Sequence, residues 1–223
     1  MISVVIPWRA GCGQREWALG WVTDWYARTH PAWEVVLGRH DHGPWNASAA
    51  IIDGASKASG DTFVIHDADC VVDPEEATRH LDSGWAIPHR LVHRLSAQSN
   101  ALFAAGYPLA HLELDGTNAQ DRKPYVGHAG GGVVVITRKA FDEVPPDTRF
   151  AGWGHQDDAW ALALRTLVGV PWRGDLDLVH FWHPSQERLS RTVGSKESLA
   201  LFRRYRTAAR NPERMRALIE EAA

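Results

Sequence analysis

The sequence predicts an α/β fold: one domain with a mostly parallel central sheet flanked by helices. Three observations carry that expectation. Short apolar runs ending in polar or glycine residues recur along the chain. Segments of helical periodicity lie between them, the alternation that βαβ units produce. Polar outliers then sit just past the apolar runs, namely Arg9, Asp41 and the trio His66, Asp67 and Asp69. In a parallel sheet that position is the ligand crevice at the strands' carboxyl ends.

Taken in order, the strand signals are "ISVVIP" at 2–7, "EVVLG" at 34–38, "TFVIH" at 62–66, "GVVVI" at 132–136 and "LDLVHF" at 176–181. Trp17, Trp21 and Trp25 recur every four residues with Val22 beside them, so 15–28 reads as a helix with an aromatic stripe of core character. Asn46 caps a helix running to about Lys57, and Pro74 with Glu75 and Glu76 opens another. Further helices fit 96–105, 138–143, 157–168, 195–209 and 212–221. No repeat, low-complexity tract or linker interrupts them, so 1–223 reads as one domain.

Composition narrows the class. With 44% hydrophobic and 23% charged residues the chain has the balance of a soluble globular protein. A formal charge of −3 argues against a general nucleic-acid binder, and the late Arg residues from Arg188 to Arg216 alternate with Glu as a solvated helical face does. Cys12 and Cys70 are too few for a disulfide scaffold, which points to a reducing compartment. "MISVVIPWR" has no basic n-region and no length for a signal peptide or membrane span. The expectation is therefore a cytoplasmic chain, free or peripheral to a membrane, with no transmembrane segment. Eleven Trp are many for 223 residues, and those not needed in the core would suit stacking on sugar rings or a base.

Three clusters carry chemistry. In "VIHDADCVVDPEE" at 64–76 an apolar strand runs into Asp67 and Asp69, which share a face if the chain stays extended and can then converge on one cation. Oxygen ligands of this kind suit Mg²⁺ or Mn²⁺. The blander reading is two Asp in a solvated turn, with Asp73 capping the next helix. In "DLVHFWHP" at 177–184, His180 and His183 end a strand-like run, and imidazole with carboxylate favours Mn²⁺. In "GWGHQDD" at 152–158, two carboxylates follow a Gly-Trp-Gly turn and open a helix; one of them can serve as a cap, and the second needs another role.

"IPWR" at 6–9, "WN" at 45–46 before a helix reaching Gly54, "DAD" at 67–69, "GGGVVVITRKAF" at 130–141, "GWGHQDD" and "HFWH" at 180–183 stand in one order. Over roughly 2–184 that order resembles nucleotide-sugar glycosyltransferases of GT-A fold, and especially the galactosyltransferase C-terminal-domain family. The resemblance implies a Rossmann-like GT-A domain with a nucleotide-binding half at about 1–75, an acceptor and catalytic half at about 76–184, and C-terminal helices at 195–222. It implies a donor nucleotide site of Pro7, Trp8, Arg9, Asp41, Trp45 and Asp67. It implies a Mn²⁺ (or Mg²⁺) site of Asp69, His183, His180 and Asp67, and a sugar and acceptor site of Gly131, Gly132, Trp153, Gly154 and Asp158. Asp157 takes the place of the family's general base, leaving Asp158 to hold the helix start. The chain departs from the family at Ala47, where the family has a nucleotide-binding Arg, at His180 for Met, and at His155 and Gln156 for Gly and Glu.

The implied activity is inverting transfer of a hexose from a nucleoside-diphosphate sugar, UDP-linked and galactose-type, to a saccharide, lipid-linked or protein acceptor. A retaining enzyme of the same fold is an alternative. A sugar-phosphate nucleotidyltransferase is another, with "RAGCGQR" at 9–15 as its thin glycine-rich loop. A carbohydrate-binding module would use the Trp residues but leave Asp67, Asp69, His180 and His183 without a task. Residues 184–195 carry no apolar period and read as a segment that folds over the donor.

Overall fold

The computed structural model describes residues 1–116, 122–152, 154–184 and 195–222. Trp153 and nearly all of the 184–195 segment therefore lie outside the described residues. The strands are β1 (Ile2–Trp8), β2 (Glu34–Arg39), β3 (Thr62–His66), β4 (Cys70–Val71), β5 (Trp85–Arg94), β6 (Tyr125–Val126), β7 (Val133–Thr137) and β8 (Trp172–His180). The helices are α1 (Gly13–Thr29), α2 (Ala47–Lys57), α3 (Ala97–Ala104), α4 (Arg138–Glu143), α5 (Gln156–Leu167), α6 (Ser195–Ala208) and α7 (Pro212–Glu220).

All eight strands join one sheet in the order β2-β1-β3-β7-β5-β8-β4, with β6 on β5. The sheet is mixed, which corrects the mostly parallel expectation. β1 runs parallel to β2 and β3, and β5 parallel to β8. The β3–β7, β5–β7, β4–β8 and β5–β6 pairs are antiparallel. β7 causes this by running against both of its neighbours, β3 and β5, and β4 and β6 run against theirs. β5 itself has no clean sequence signal because Pro88 sits inside "WAIPHRLVHR", and a proline cannot donate to a ladder. The pairing of β5 with β8 shifts register on both sides of His89, an irregularity that accommodates the proline.

Unbroken apolar runs are explained by burial on both faces. Val5, Phe63, Ile65, Val134 and Ile136 face a core with α4, α5, α6 and α7. Their neighbours Val4, Ile6, Val64, Val133 and Val135 face the other core with α1. Asn46 caps α2 by accepting from the Ala49 N–H at 2.9 Å. The segment after Pro74 closes as a 3₁₀ turn (Glu76–Arg79) rather than a helix, with Asp73 accepting from the Glu75 N–H. The tryptophan stripe of α1 is a flank more than a core. Ala18, Val22 and Tyr26 are the buried positions, while Trp17 stays 40% exposed and packs edge-on against Phe181. Among the described residues no helix is long and apolar enough to cross a membrane.

Candidate active site

The site starts where β3 ends. Residues 67–69 turn instead of staying extended, and the Cys70 N–H donates to the Asp67 carbonyl at 3.3 Å. The two carboxylates therefore face different partners, contrary to the shared-face expectation. Asp69 faces the end of β8, because Cys70 pairs with His180 and the Phe181 N–H donates to the Asp69 carbonyl at 2.8 Å. Its Oδ1 lies 3.8 Å from His180 Nε2, and its Oδ2 lies 3.1 Å from His183 Nε2 and 3.6 Å from Arg15 Nε. Burial opposes its charge, but His180, His183 and Arg15 outweigh that and hold the carboxyl well below the usual range. Burial pushes His180 down to about 4, so its imidazole is neutral at pH 7, as a metal ligand must be.

His183 supplies a test of whether a metal fits. Its Nδ1 lies 3.0 Å from the Pro184 carbonyl, which can only accept, so Nδ1 carries the proton. Nε2 then points a lone pair at the Asp69 carboxylate, an arrangement that needs either a second proton or a cation between them. Asn100 of α3 holds this segment in place. It donates to the Trp182 carbonyl at 2.9 Å and accepts from the Trp182 N–H at 2.8 Å. Cys70 Sγ also lies 3.8 Å from Asp69 Oδ1, but burial and then the charges of Asp69 and Asp67 push its thiol up, away from the thiolate a metal would require.

The three glycines before β7 join this cluster to the second carboxylate pair. The Gly132 N–H donates to Asp67 Oδ2 at 3.2 Å, and the Asp67 N–H to the Gly132 carbonyl at 2.9 Å. A methyl group on Gly131 would stand 3.2 Å from Asp157 Oδ2, and one on Gly130 only 2.2 Å from the Asp157 carbonyl oxygen. Only glycine lets β7 and α5 approach this closely. The Asp67 carboxyl, whose edge reaches solvent, is raised by desolvation and then by the charges of Asp69 and Asp157. Asp67, Asp69 and Asp157 thus share one electrostatic environment.

α5 begins differently from the expectation. Its N-cap is His155 in the left-handed region at φ 68°, with no side-chain cap, so neither Asp157 nor Asp158 caps the helix. His155 stacks on Phe202 of α6 at 4.8 Å, which compensates its backbone conformation. Asp158 turns instead to His128, whose Nδ1 lies 3.2 Å from its Oδ1. Asp157 is pushed up to about 6 by desolvation and then by Asp158, with His128 opposing. A helix N-terminus by itself would stabilise the ionised form; here desolvation wins. Gly152 and Gly154 have φ of 83° and 117°, and a Cβ on either would meet open space, so they supply backbone conformation rather than close approach.

Of the residues expected at a nucleotide, Pro7 and Trp8 end β1 and are buried, Trp8 in the core beside α1. Arg9 donates to the Gly43 carbonyl at 2.8 Å and to that of Asp41 at 3.4 Å, so it shapes the loop after β2, where Asp41 is exposed. The half-buried Trp45 accepts from the Gly152 N–H through its carbonyl at 2.7 Å, tying this loop to the turn before α5. Arg15, Asn100 and His128 were not among the sequence candidates. Arg15 had a signal in the glycine-rich "RAGCGQR" stretch; Asn100 and His128 had none.

No family profile and no curated protein matches the chain. Among solved structures, it is similar to a Drosophila β-1,4-galactosyltransferase 7 variant in complex with manganese, UDP-Gal and xylobiose (TM-score 0.44, 18% identity, 77% of this chain). The chain spans 63% of the length of that protein. It is also similar to a Pyrobaculum calidifontis mannosyltransferase in complex with GDP-Man and Mn²⁺ (TM-score 0.47, 14% identity, 99% of this chain and 68% of that one). A third is Mycobacterium tuberculosis glucosyl-3-phosphoglycerate synthase in complex with phosphoglyceric acid (TM-score 0.46, 16% identity, 89% and 77%).

Proposed function

We propose that this protein is a divalent-metal-dependent glycosyltransferase. It moves a hexose, with inversion, from a nucleoside-diphosphate sugar to an acceptor hydroxyl; a UDP-linked, galactose-type sugar is the donor. The observation that supports this reading is the glycine turn 130–132, which meets Asp67 on one side and Asp157 on the other, next to Asp69 with its neighbours His180 and His183.

Asp69, His180 and His183, with Asp67 beside them, would hold Mn²⁺ or Mg²⁺. When bound, that ion supplies positive charge to offset the charge developing on the leaving diphosphate. Arg15, 3.6 Å from Asp69, is placed to share the diphosphate charge. Arg9 and Trp45 shape the pocket for the base, and Gly131, Gly132, Gly154 and Asp158 line the side where sugar and acceptor meet. Asp157 accepts the proton of the acceptor hydroxyl as its oxygen bonds to the anomeric carbon and the bond to the diphosphate oxygen breaks. A carboxyl near 6 is ionised at pH 7 yet basic enough to take that proton. Because Asp157 forms no bond to the sugar, a single displacement inverts the centre. On this reading residues 1–75 hold the nucleotide, 76–184 the acceptor and catalytic groups, and 195–222 brace α5.

The test is a donor panel of UDP-galactose, UDP-glucose and GDP-mannose with and without Mn²⁺, read as released nucleoside diphosphate. Slow donor hydrolysis needs no acceptor. Release should require the metal and disappear in Asp69→Ala. Pyrophosphate formed from a nucleoside triphosphate and a sugar phosphate would identify a nucleotidyltransferase instead.

A further inference from the structure

Away from the cleft, the C-terminal end of α1 meets the segment after β4 at a second group of metal-ligating side chains. His30 is the C-cap of α1, and its ring is fixed by stacking on Trp33 at 4.1 Å and by an edge contact with Trp25 at 5.5 Å. The residue is 8% exposed, and its buried Nε2 has no hydrogen-bond partner among the described residues. That nitrogen lies 3.3 Å from Asp73 Oδ1. A Glu75 oxygen completes a set of three donor atoms that all lie within 4.8 Å of one another.

We propose that His30, Asp73 and Glu75 form a second divalent-cation site, of the chemistry that takes Zn²⁺. Zn²⁺ takes both imidazole nitrogen and carboxylate oxygen as ligands. A tetrahedral ion with ligands at about 2.0–2.1 Å sets its ligand atoms about 3.3 Å apart. The His30–Asp73 separation has that value, whereas the pair fails the geometry of a hydrogen bond. Nearby, the fully buried Tyr26 hydroxyl also has no hydrogen-bond partner among the described residues. A cation would balance the two carboxylates, of which Glu75 is otherwise paired with Arg79.

Occupancy would tie α1 to the segment that follows Asp69. Asp73 lies two residues beyond β4, and Tyr26 packs edge-on against His66 at the end of β3, 5.3 Å between ring centroids. The site stands apart from the donor cleft and does not depend on the function proposed for it.

The test is equilibrium dialysis of the whole protein against Zn²⁺ alone, with metal counted per chain and melting temperature followed in parallel. His30→Gln and Asp73→Asn should each bind one ion fewer than the parent and lose one increment of Zn²⁺-dependent stabilisation, while Asp69→Asn keeps this ion. If the donor cleft takes no Zn²⁺, the parent binds one ion and these two variants none, which separates the two sites. Should His30→Gln not fold, the exposed Asp73→Asn decides alone. Parental stoichiometry in Asp73→Asn would overturn the proposal and leave an ordinary ion pair.

Discussion

Asp157 and Asp158 are neighbours in the same first helical turn, yet their surroundings separate them. Asp157 is desolvated against the glycine turn, while Asp158 pairs with His128. Asp157→Asn keeps the shape but removes the base, so kcat should fall by about 10²–10⁴-fold with little change in donor affinity. Asp158→Asn should be much milder. The pH profile follows from the same environment. The base works ionised, so kcat/KM should fall as pH drops through about 6, and the variant should lack that limb. Stability moves the other way. A carboxyl whose folded pKa lies above its unfolded value binds more protons when folded, so stability declines as pH rises from about 4 to 6. Asp157→Asn should therefore melt higher than the parent at pH 8 but not at pH 4. A dead Asp158→Asn beside a mild Asp157→Asn would exchange the two roles.

At the scale of elements, the proposed metal site depends on residues outside its ligand set. α3 contributes Asn100, whose paired hydrogen bonds fix the Trp182 backbone and hence the approach of His183. Partners of this kind behind a metal ligand are typically worth about 10–100-fold in metal affinity. Asn100→Ala should weaken Mn²⁺ binding by that order, read calorimetrically, with all ligands still present; parental affinity would make the clamp purely structural. Legibility follows the same division. β1, β3 and β7 announce themselves because both faces are buried, and α2 because Asn46 caps it. β5 is hidden by Pro88, and whether strands run parallel cannot be read from local pattern at all. Asp69 and His180 stand out as residue types, but the β4–β8 register that brings them together joins residues far apart in the chain. The same distance hides Asn100, 82 residues from Trp182. The pattern suggests Asp158 as the cap, but His155 takes that place with a positive φ, a backbone choice with no side-chain pattern behind it.

The whole molecule is closed by its C-terminal helices, which pack Tyr205, Ala208, Met215 and Leu218 against the α5 side of the core. Their anchor is the buried Asp147. It receives Arg149 at 2.7 Å and the Tyr205 hydroxyl at 2.8 Å, while Arg149 also donates to the Leu218 carbonyl at 2.8 Å. Asp147→Ala leaves the half-buried guanidinium without its main partner and should cost about 1.5–3 kcal/mol in chemical denaturation, the usual worth of a hydrogen bond to a charged group. A change under about 0.5 kcal/mol, usual for surface positions, would show that these helices are held by apolar packing alone. The α6 that this network docks also stacks Phe202 on His155, so the brace reaches the turn before Asp157. The central claim is that Asp69, His180 and His183 gather a divalent ion to bind a nucleoside diphosphate. Calorimetric titration of UDP into the parent, Asp69→Ala and His183→Ala, each with and without Mn²⁺, tests it most directly. The account predicts strong Mn²⁺ dependence in the parent, lost in both variants, whereas UDP binding of equal strength in all six titrations would contradict it.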